Sequence, residues 1–257
     1  MSILKTDAIT LGRTDYSDSS QIIIFYTRDY GKINTIAKGF KRSSGKYNSK
    51  AIDLLTHYRI LFIKKEHSTL HTLTDAVLQN NYPAFRHDLD KYFRASCMAE
   101  LVNEFTEKND PNEPLFDLFL NTLNHIATDT NTTIWLLAFE LKMLNILGYL
   151  PEWEHCIHCK KKIPHHEMVT FNAVEGGARC VGCPGELKNG MLISAGAMFI
   201  AGRLANLNLH RLERVRVQLS ICVEIEKVLR YYIVSLLKKE LNSWKYVNFS
   251  PQEGIKI

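Results

Sequence analysis

No stretch of this chain approaches eighteen consecutive apolar residues, so nothing in it reads as a membrane-spanning helix. The opening residues, Met1-Ser2-Ile3-Leu4, run into an alternating pattern with no basic segment ahead of an apolar core, and no secretory signal is visible. The chain is therefore expected to stay in a reducing cytosol, where its six cysteines persist as thiols. No His-Glu-x-x-His arrangement accompanies Glu154, Glu167 or Glu175, which argues against a zinc hydrolase. No lone Cys-x-x-Cys opens a helix within a strand-helix-strand unit, which argues against a dithiol redox centre. Acidic side chains are missing altogether from Tyr30 to Ile52, and that local absence is the one that points towards a ligand.

Four of the six cysteines form two pairs: Cys156-Ile157-His158-Cys159, then twenty residues, then Cys180-Val181-Gly182-Cys183. Two thiolates three positions apart can grip one ion from a tight turn, and a second such turn completes a tetrahedral shell. The spacing predicts one structural zinc on Cys156, Cys159, Cys180 and Cys183, because four protein ligands leave no open position for water or substrate. His155, His158, His165 and His166 lie nearby, and one of them could replace a cysteine. Cys97 and Cys222 have no partner at turn spacing and read as small core residues.

At 257 residues and 46% hydrophobic content the chain can bury one large core or two modest ones, and its composition is that of a folded protein. Its formal charge of +5 is unevenly spread. Residues 1–82 hold 12 Lys and Arg against 7 Asp and Glu, while residues 83–257 hold 20 of each. The first third reads as five strands: Ile3–Leu11, Gln21–Thr27, Lys32–Lys38, Leu54–Lys65 and Thr69–Leu78, with Asp29-Tyr30-Gly31 as a hairpin turn. Five short strands in about eighty residues suggest a small closed barrel of the oligonucleotide-binding (OB) type; a small β-sandwich fits the same pattern. Phe25, Tyr26, Tyr58 and Phe62 are expected mostly in its core. The segment from Lys38 to Lys50 joins the third and fourth strands. It carries Lys38, Lys41, Arg42, Lys46 and Lys50 for phosphates, with Phe40 and Tyr47 able to stack on bases. A charge run of this kind can also be no more than a solvated loop.

After Tyr82-Pro83 the hydrophobic period changes from two to about three and a half, which places a domain boundary between residues 82 and 83. Helical patterns cover 84–107, then Leu115 to Ile126, then a segment capped by Thr132 or Thr133 and ended by Gly148. The cysteine module interrupts them from about 151 to 191, with short strands at Val169–Asn172 and Gly176–Arg179. Ser194 is the expected cap for the next helix, and a longer one is expected over 212–241, where Tyr231 and Tyr232 serve packing. The tail from Phe249 has few packing residues. The predicted class is α+β multidomain: a barrel over 1–82, then an α-helical domain over 83–257 with an inserted zinc ribbon.

Several pieces in this order make the chain resemble the RecO family of bacterial DNA repair proteins. They are Tyr30-Gly31-Lys32 leading into Ala37-Lys38-Gly39-Phe40-Lys41-Arg42, then Leu115-Phe116-Asp117-Leu118, then Leu147-Gly148-Tyr149-Leu150-Pro151 before the cysteines, and Leu229-Arg230-Tyr231-Tyr232 ahead of Ser243. The resemblance covers the chain to about Val247. It implies an OB-fold domain on a helical domain with an inserted ribbon, and a non-catalytic cytoplasmic protein associated with the nucleoid. It also implies binding of single- and double-stranded DNA, annealing of complementary strands, and association with RecR. Through single-stranded DNA-binding protein it implies help in loading RecA onto coated gaps. The residues that hold the acidic tail of single-stranded DNA-binding protein are expected in the helical domain, at positions the motifs do not place. The alternative is a zinc-ribbon adaptor that works through proteins without touching DNA.

Overall fold

A computed structural model of the chain describes residues 2–38, 52–65, 68–183 and 190–247. It divides into two compact units, Met1–Thr128 and Asp129–Ile257. Each is taken by itself below.

The first unit begins with five strands: β1 (Ile3–Asp15), β2 (Ser20–Thr27), β3 (Gly31–Lys38), β4 (His57–Ile63) and β5 (Leu70–Asn80). Their pairing order, β1-β2-β3-β5-β4 with β4 returning to β1, closes a barrel. β3 and β5 run parallel and every other pair antiparallel, which is the OB arrangement and not a sandwich. Closure leaves no edge strand exposed to pair with another chain. The interior is filled by alternate residues of each strand: Ala8, Ile23, Phe25, Ile33, Ala37, Tyr58, Ile60, Phe62 and Leu73, with Ile52. Phe25 meets Tyr58 edge-on at 6.5 Å between centroids, and Tyr30 meets Phe62 at 5.4 Å. Each fully buried aromatic contributes on the order of 2–3 kcal/mol.

Tyr26 corrects one expectation. The two-residue period of β2 that turns Phe25 inward turns Tyr26 to the opposite face. There it is buried against Phe116, 6.2 Å between ring centroids, and its hydroxyl donates to the Asn112 carbonyl at 3.4 Å. Burial raises its pKa.

Three helices complete the unit: α1 (Ala84–His87), α2 (Leu89–Phe105) and α3 (Glu113–Thr128). The sequence pattern over 84–107 is continuous, but the chain breaks at Asp88, whose extended backbone lets its carboxylate accept from the Lys91 N–H at 3.2 Å. A short acidic side chain gains more as a cap than inside a helix. Asn112 caps α3 through the Leu115 N–H at 3.0 Å. Arg28 lies over the Phe116 ring, 5.3 Å to its centroid, and pairs with Glu113 at 2.7 Å and with Asp117, fixing the β2–β3 turn on α3.

The second unit holds α4 (Thr132–Ile146), a three-stranded sheet of β6 (Met168–Asn172), β7 (Gly177–Arg179) and β8 (Met191–Ser194), then α5 (Ala195–Asn206), α6 (Leu209–Leu212), α7 (Leu219–Leu237) and a 3-10 turn (Ser243–Tyr246). The residue capping α4 is Asn131, not Thr132 or Thr133, and it does so without a side-chain bond. Gly148 ends the helix at φ +78°, and the Tyr149 N–H returns to the Leu144 carbonyl at 2.7 Å. The expected helix over 212–241 is shorter. Residues 213–218, Glu-Arg-Val-Arg-Val-Gln, lie outside α7, consistent with the poor helix propensity of Val215 and Val217. Cys97 and Cys222 are buried in their respective units.

No described helix is long and apolar enough to cross a membrane.

Gly31 opens β3 at φ +63°, and a Cβ there would overlap the backbone carbonyl of Asp110. Gly31→Ala is expected to lower stability by at least about 2 kcal/mol, from left-handed strain plus a backbone clash. A drop in the urea unfolding midpoint measures it, and an unchanged midpoint contradicts the close approach.

Candidate metal centre and nucleic-acid interface

The first cysteine turn is built by short-range backbone bonds. Cys156 N–H donates to the Lys161 carbonyl and Lys160 N–H to the Cys156 carbonyl, both at 2.9 Å, with Lys160 at φ +60°. Just outside, Glu152 accepts from the N–H groups of Glu154 and His155 at 2.8 and 3.0 Å. Burial alone would raise the Glu152 pKa, but these bonds and the neighbouring His155 hold it below the usual carboxylate range. The turn is then fastened to β7, with Ile157 N–H donating to Ala178 at 3.0 Å and Glu152 N–H to Gly176 at 2.9 Å. Gly177 is what lets the two backbones come this close, since a Cβ there would collide with Ile157 Cγ2.

The second turn, Cys180 to Cys183, closes with Cys183 N–H on the Cys180 carbonyl at 3.2 Å. The Cys180 N–H points at Cys156 Sγ, 3.4 Å away. The β6–β7 hairpin thus carries the second pair back to the first. The four sulfurs lie within 4.8 Å of one another, with Cys156–Cys183 and Cys159–Cys180 at 3.7 Å and Cys180–Cys183 at 3.5 Å.

Those separations discriminate between chemistries. A disulfide requires about 2.05 Å between sulfurs, and all six cysteines are free thiols. Four sulfurs around one ion at about 2.3 Å would be separated by roughly 3.8 Å along a tetrahedron's edge. The observed spacing fits the second case, so the four residues could hold one metal ion. Cys156 has its thiol drawn down to about 6: burial raises it, but the N–H groups of Cys180, Cys159 and His158 outweigh that. Cys183 is pushed up to about 12 by desolvation and by hydrogen bonding with the sulfurs around it, and Cys180 is raised as well. Four thiolates cannot gather here unassisted, and a divalent cation is the natural compensation.

Among the described residues the metal-capable group consists of these cysteines and includes none of the nearby histidines. His155 lies 3.4 Å from Glu152, and the His165 ring packs against Phe199 at 4.4 Å. The module is anchored within its unit by Phe171, which stacks on Trp153 at 5.6 Å and meets Tyr232 edge-on at 5.9 Å. Tyr232 is buried and donates to the Tyr149 carbonyl at 2.9 Å, so it packs and braces. Ser194 caps α5 through the Ala197 N–H, and Glu224 of α7 accepts from both its backbone and its hydroxyl.

For the barrel, Lys38 stands exposed at the end of β3, paired in register with Ser20. Phe40, Lys41, Arg42, Lys46, Tyr47 and Lys50 lie outside the described residues, as does the tail from Phe249. At the root where this segment rejoins the barrel, Arg13 donates to the Ile52 carbonyl at 2.8 Å, and Asp53 pairs with Arg13 at 3.1 Å and with Arg86 at 2.9 Å. These three line a cleft of about 180 Å³ with Tyr82, Phe85 and Tyr92. Two arginines around one carboxylate leave the root cationic. Neither arginine stands out in the sequence, because Arg13 sits in a strand and Arg86 in a helix of mixed charge, far apart in the chain.

Comparison with known proteins is consistent from end to end. Residues 1–82 match the family model for the Recombination protein O N terminal domain, and residues 86–245 that for the Recombination protein O C terminal domain. The DNA repair protein RecO of Pelotomaculum thermopropionicum is 30% identical over 248 residues, covering 96% of this chain and 94% of the relative. That of Bacillus pumilus is 29% identical over 246 residues, covering 96% and 94%. That of Syntrophus aciditrophicus is 28% identical over 255 residues, covering 98% and 97%.

Purified protein is expected to contain about one zinc per chain. Acidification should release it as protons compete for the thiolates. Cys156→Ser or Cys183→Ser should abolish stoichiometric metal and lower the thermal midpoint. Metal-free protein that melts with the holo form would exclude a structural metal.

Proposed function

Because the chain belongs to the RecO family of DNA repair and recombination proteins, we propose that it is a recombination mediator that binds single- and double-stranded DNA and anneals complementary strands. With RecR it promotes RecA loading onto gaps coated by single-stranded DNA-binding protein. It acts without bond-breaking chemistry, in the cytoplasm at the nucleoid. The barrel of residues 1–82 is its principal DNA module. The helical region of 83–257 keeps shape around one structural zinc on Cys156, Cys159, Cys180 and Cys183 and receives protein partners.

The observation that carries this reading is the closed OB barrel in a chain that matches both family models. The acid-free run from Tyr30 to Ile52 comprises β3 and most of the chain joining it to β4. Annealing requires two polyanions to approach, and a cationic loop lowers their repulsion while releasing condensed counterions. Lys38, Lys41, Arg42, Lys46 and Lys50 supply the charge, and Phe40 and Tyr47 supply stacking surfaces for unpaired bases. Arg13 and Arg86, at the loop's root, extend the cationic region onto the body of the first unit.

Replacing Lys38, Lys41 and Arg42 by Ala is expected to flatten the plot of log affinity against log salt on duplex DNA by up to about three, at roughly 0.9 for each phosphate no longer neutralised. Titration of a fluorescent oligonucleotide across salt concentrations reads the slope. Wild-type protein with no affinity at low salt would instead favour an adaptor acting through proteins alone.

A further inference from the structure

The metal module carries a second cationic surface that its overall charge conceals. Over residues 151–183 four basic side chains, Lys160, Lys161, Lys162 and Arg179, balance four acids, Glu152, Glu154, Glu167 and Glu175. Two of the acids, Glu154 and Glu167, bracket a basic run in the chain. Residues 155–166 contain three lysines and four histidines and no acid at all. Glu152 is turned back onto backbone N–H groups and His155, and Glu175 pairs with Arg179 at 3.5 Å. Lys160, Lys161 and Lys162 are all exposed, and none is ion-paired with a described carboxylate.

The backbone beneath them is defined. Cys156 to Lys161 is a closed turn, His155 bridges Lys162 across the hairpin, and Ile163 N–H donates to the Glu154 carbonyl at 2.9 Å. Lys160 adopts φ +60°, a conformation in which glycine would be less strained. The Lys160 side chain is exposed there, so its charge is presented to solvent.

We propose that this hairpin, residues 155–166, is a polynucleotide-backbone site separate from the barrel loop, with Lys160, Lys161 and Lys162 contacting phosphates. An acidic peptide is the less fitting ligand where its recognition also draws on apolar anchors. The cavity bordering Lys162, lined by Trp153, Glu154, Ile163 and His165 among others, holds about 10 Å³, room for about one water. A flat cationic turn suits a repeating phosphate chain. The bound ion then has a further role, because it fixes the turn from which the lysines project. The proposal rests on the chain's being a DNA-binding protein but not on the loop after β3.

The test compares two triple variants of the full chain by titration with fluorescent oligothymidine and with duplex DNA over a range of salt. One replaces Lys160, Lys161 and Lys162 by Ala; the other replaces Lys38, Lys41 and Arg42. The knuckle variant is expected to keep one metal per chain while its salt slope falls by up to about 2 on single strands and about 2.7 on duplex. Should it lose metal, Lys161→Gln with Lys162→Gln leaves the strained Lys160 position intact and should still lower the slope by about two-thirds of that amount. An unchanged slope in a metal-loaded knuckle variant, with a reduced slope in the barrel variant, overturns the proposal and leaves the barrel reading standing. If neither variant changes the slope, both fail. Loss of binding to a glutamate-rich peptide with DNA binding untouched would reassign the surface to a protein partner and likewise overturn it.

Discussion

Four sulfurs gathered within 4.8 Å are the constraint on which the second unit turns. Bringing thiols together this closely is unfavourable for their ionised forms, and burial together with the neighbouring sulfurs pushes the Cys183 thiol up. A divalent ion reverses the sign of that interaction, turning mutual repulsion into common attraction. Such an ion would hold together more than two turns. The sheet is only three strands, β7 has three residues, and so small a ribbon has little core of its own. Trp153, Phe171 and Tyr232 supply an aromatic stack on one side, and the sulfur cluster supplies the closure on the other. Gly177 is the condition for both, since any side chain there would push the first turn off β7.

The barrel meets its structural problem differently. Closure pairs every strand on both sides, and a small interior is filled by alternate residues of five strands. The closed sheet carries the fold of the barrel, and the end of the connection from β3 to β4 is tied to it through Ile52 in the core and Asp53 on Arg13 and Arg86. Loops borne by a rigid scaffold are where binding residues concentrate. In the cysteine hairpin, backbone bonds fix the turn and the side chains of Lys160 to Lys162 are left to solvent.

Much of this was legible in the residues because it is periodic or punctual. Apolar and β-branched runs marked four of the five strands against a mixed first one, Gly31 marked the β2–β3 turn, and Ser194 marked the start of α5. What escaped was decided by competition between neighbours. Asp88 breaks a continuous helical pattern because capping Lys91 outweighs continuing the helix. Tyr26 belongs to the outer face of the barrel because Phe25 already occupies the inner one, and an aromatic run does not announce which member turns inward. The helix expected from 212 begins only at Leu219.

By itself the sequence determined the class of the protein: two cysteine pairs at knuckle spacing, a basic acid-free run among β-patterned segments, and a family-specific order of soft motifs. Those are properties of composition and local spacing, which the chain carries whatever its conformation. Only the tertiary structure decided which charges count. Arg13 and Arg86 meet across Asp53 although 73 positions separate them (86 − 13), and in a module with no net charge Glu152 and Glu175 are engaged by His155 and Arg179 while Lys160, Lys161 and Lys162 stay exposed. Charge sums are blind to position, and position is what folding supplies.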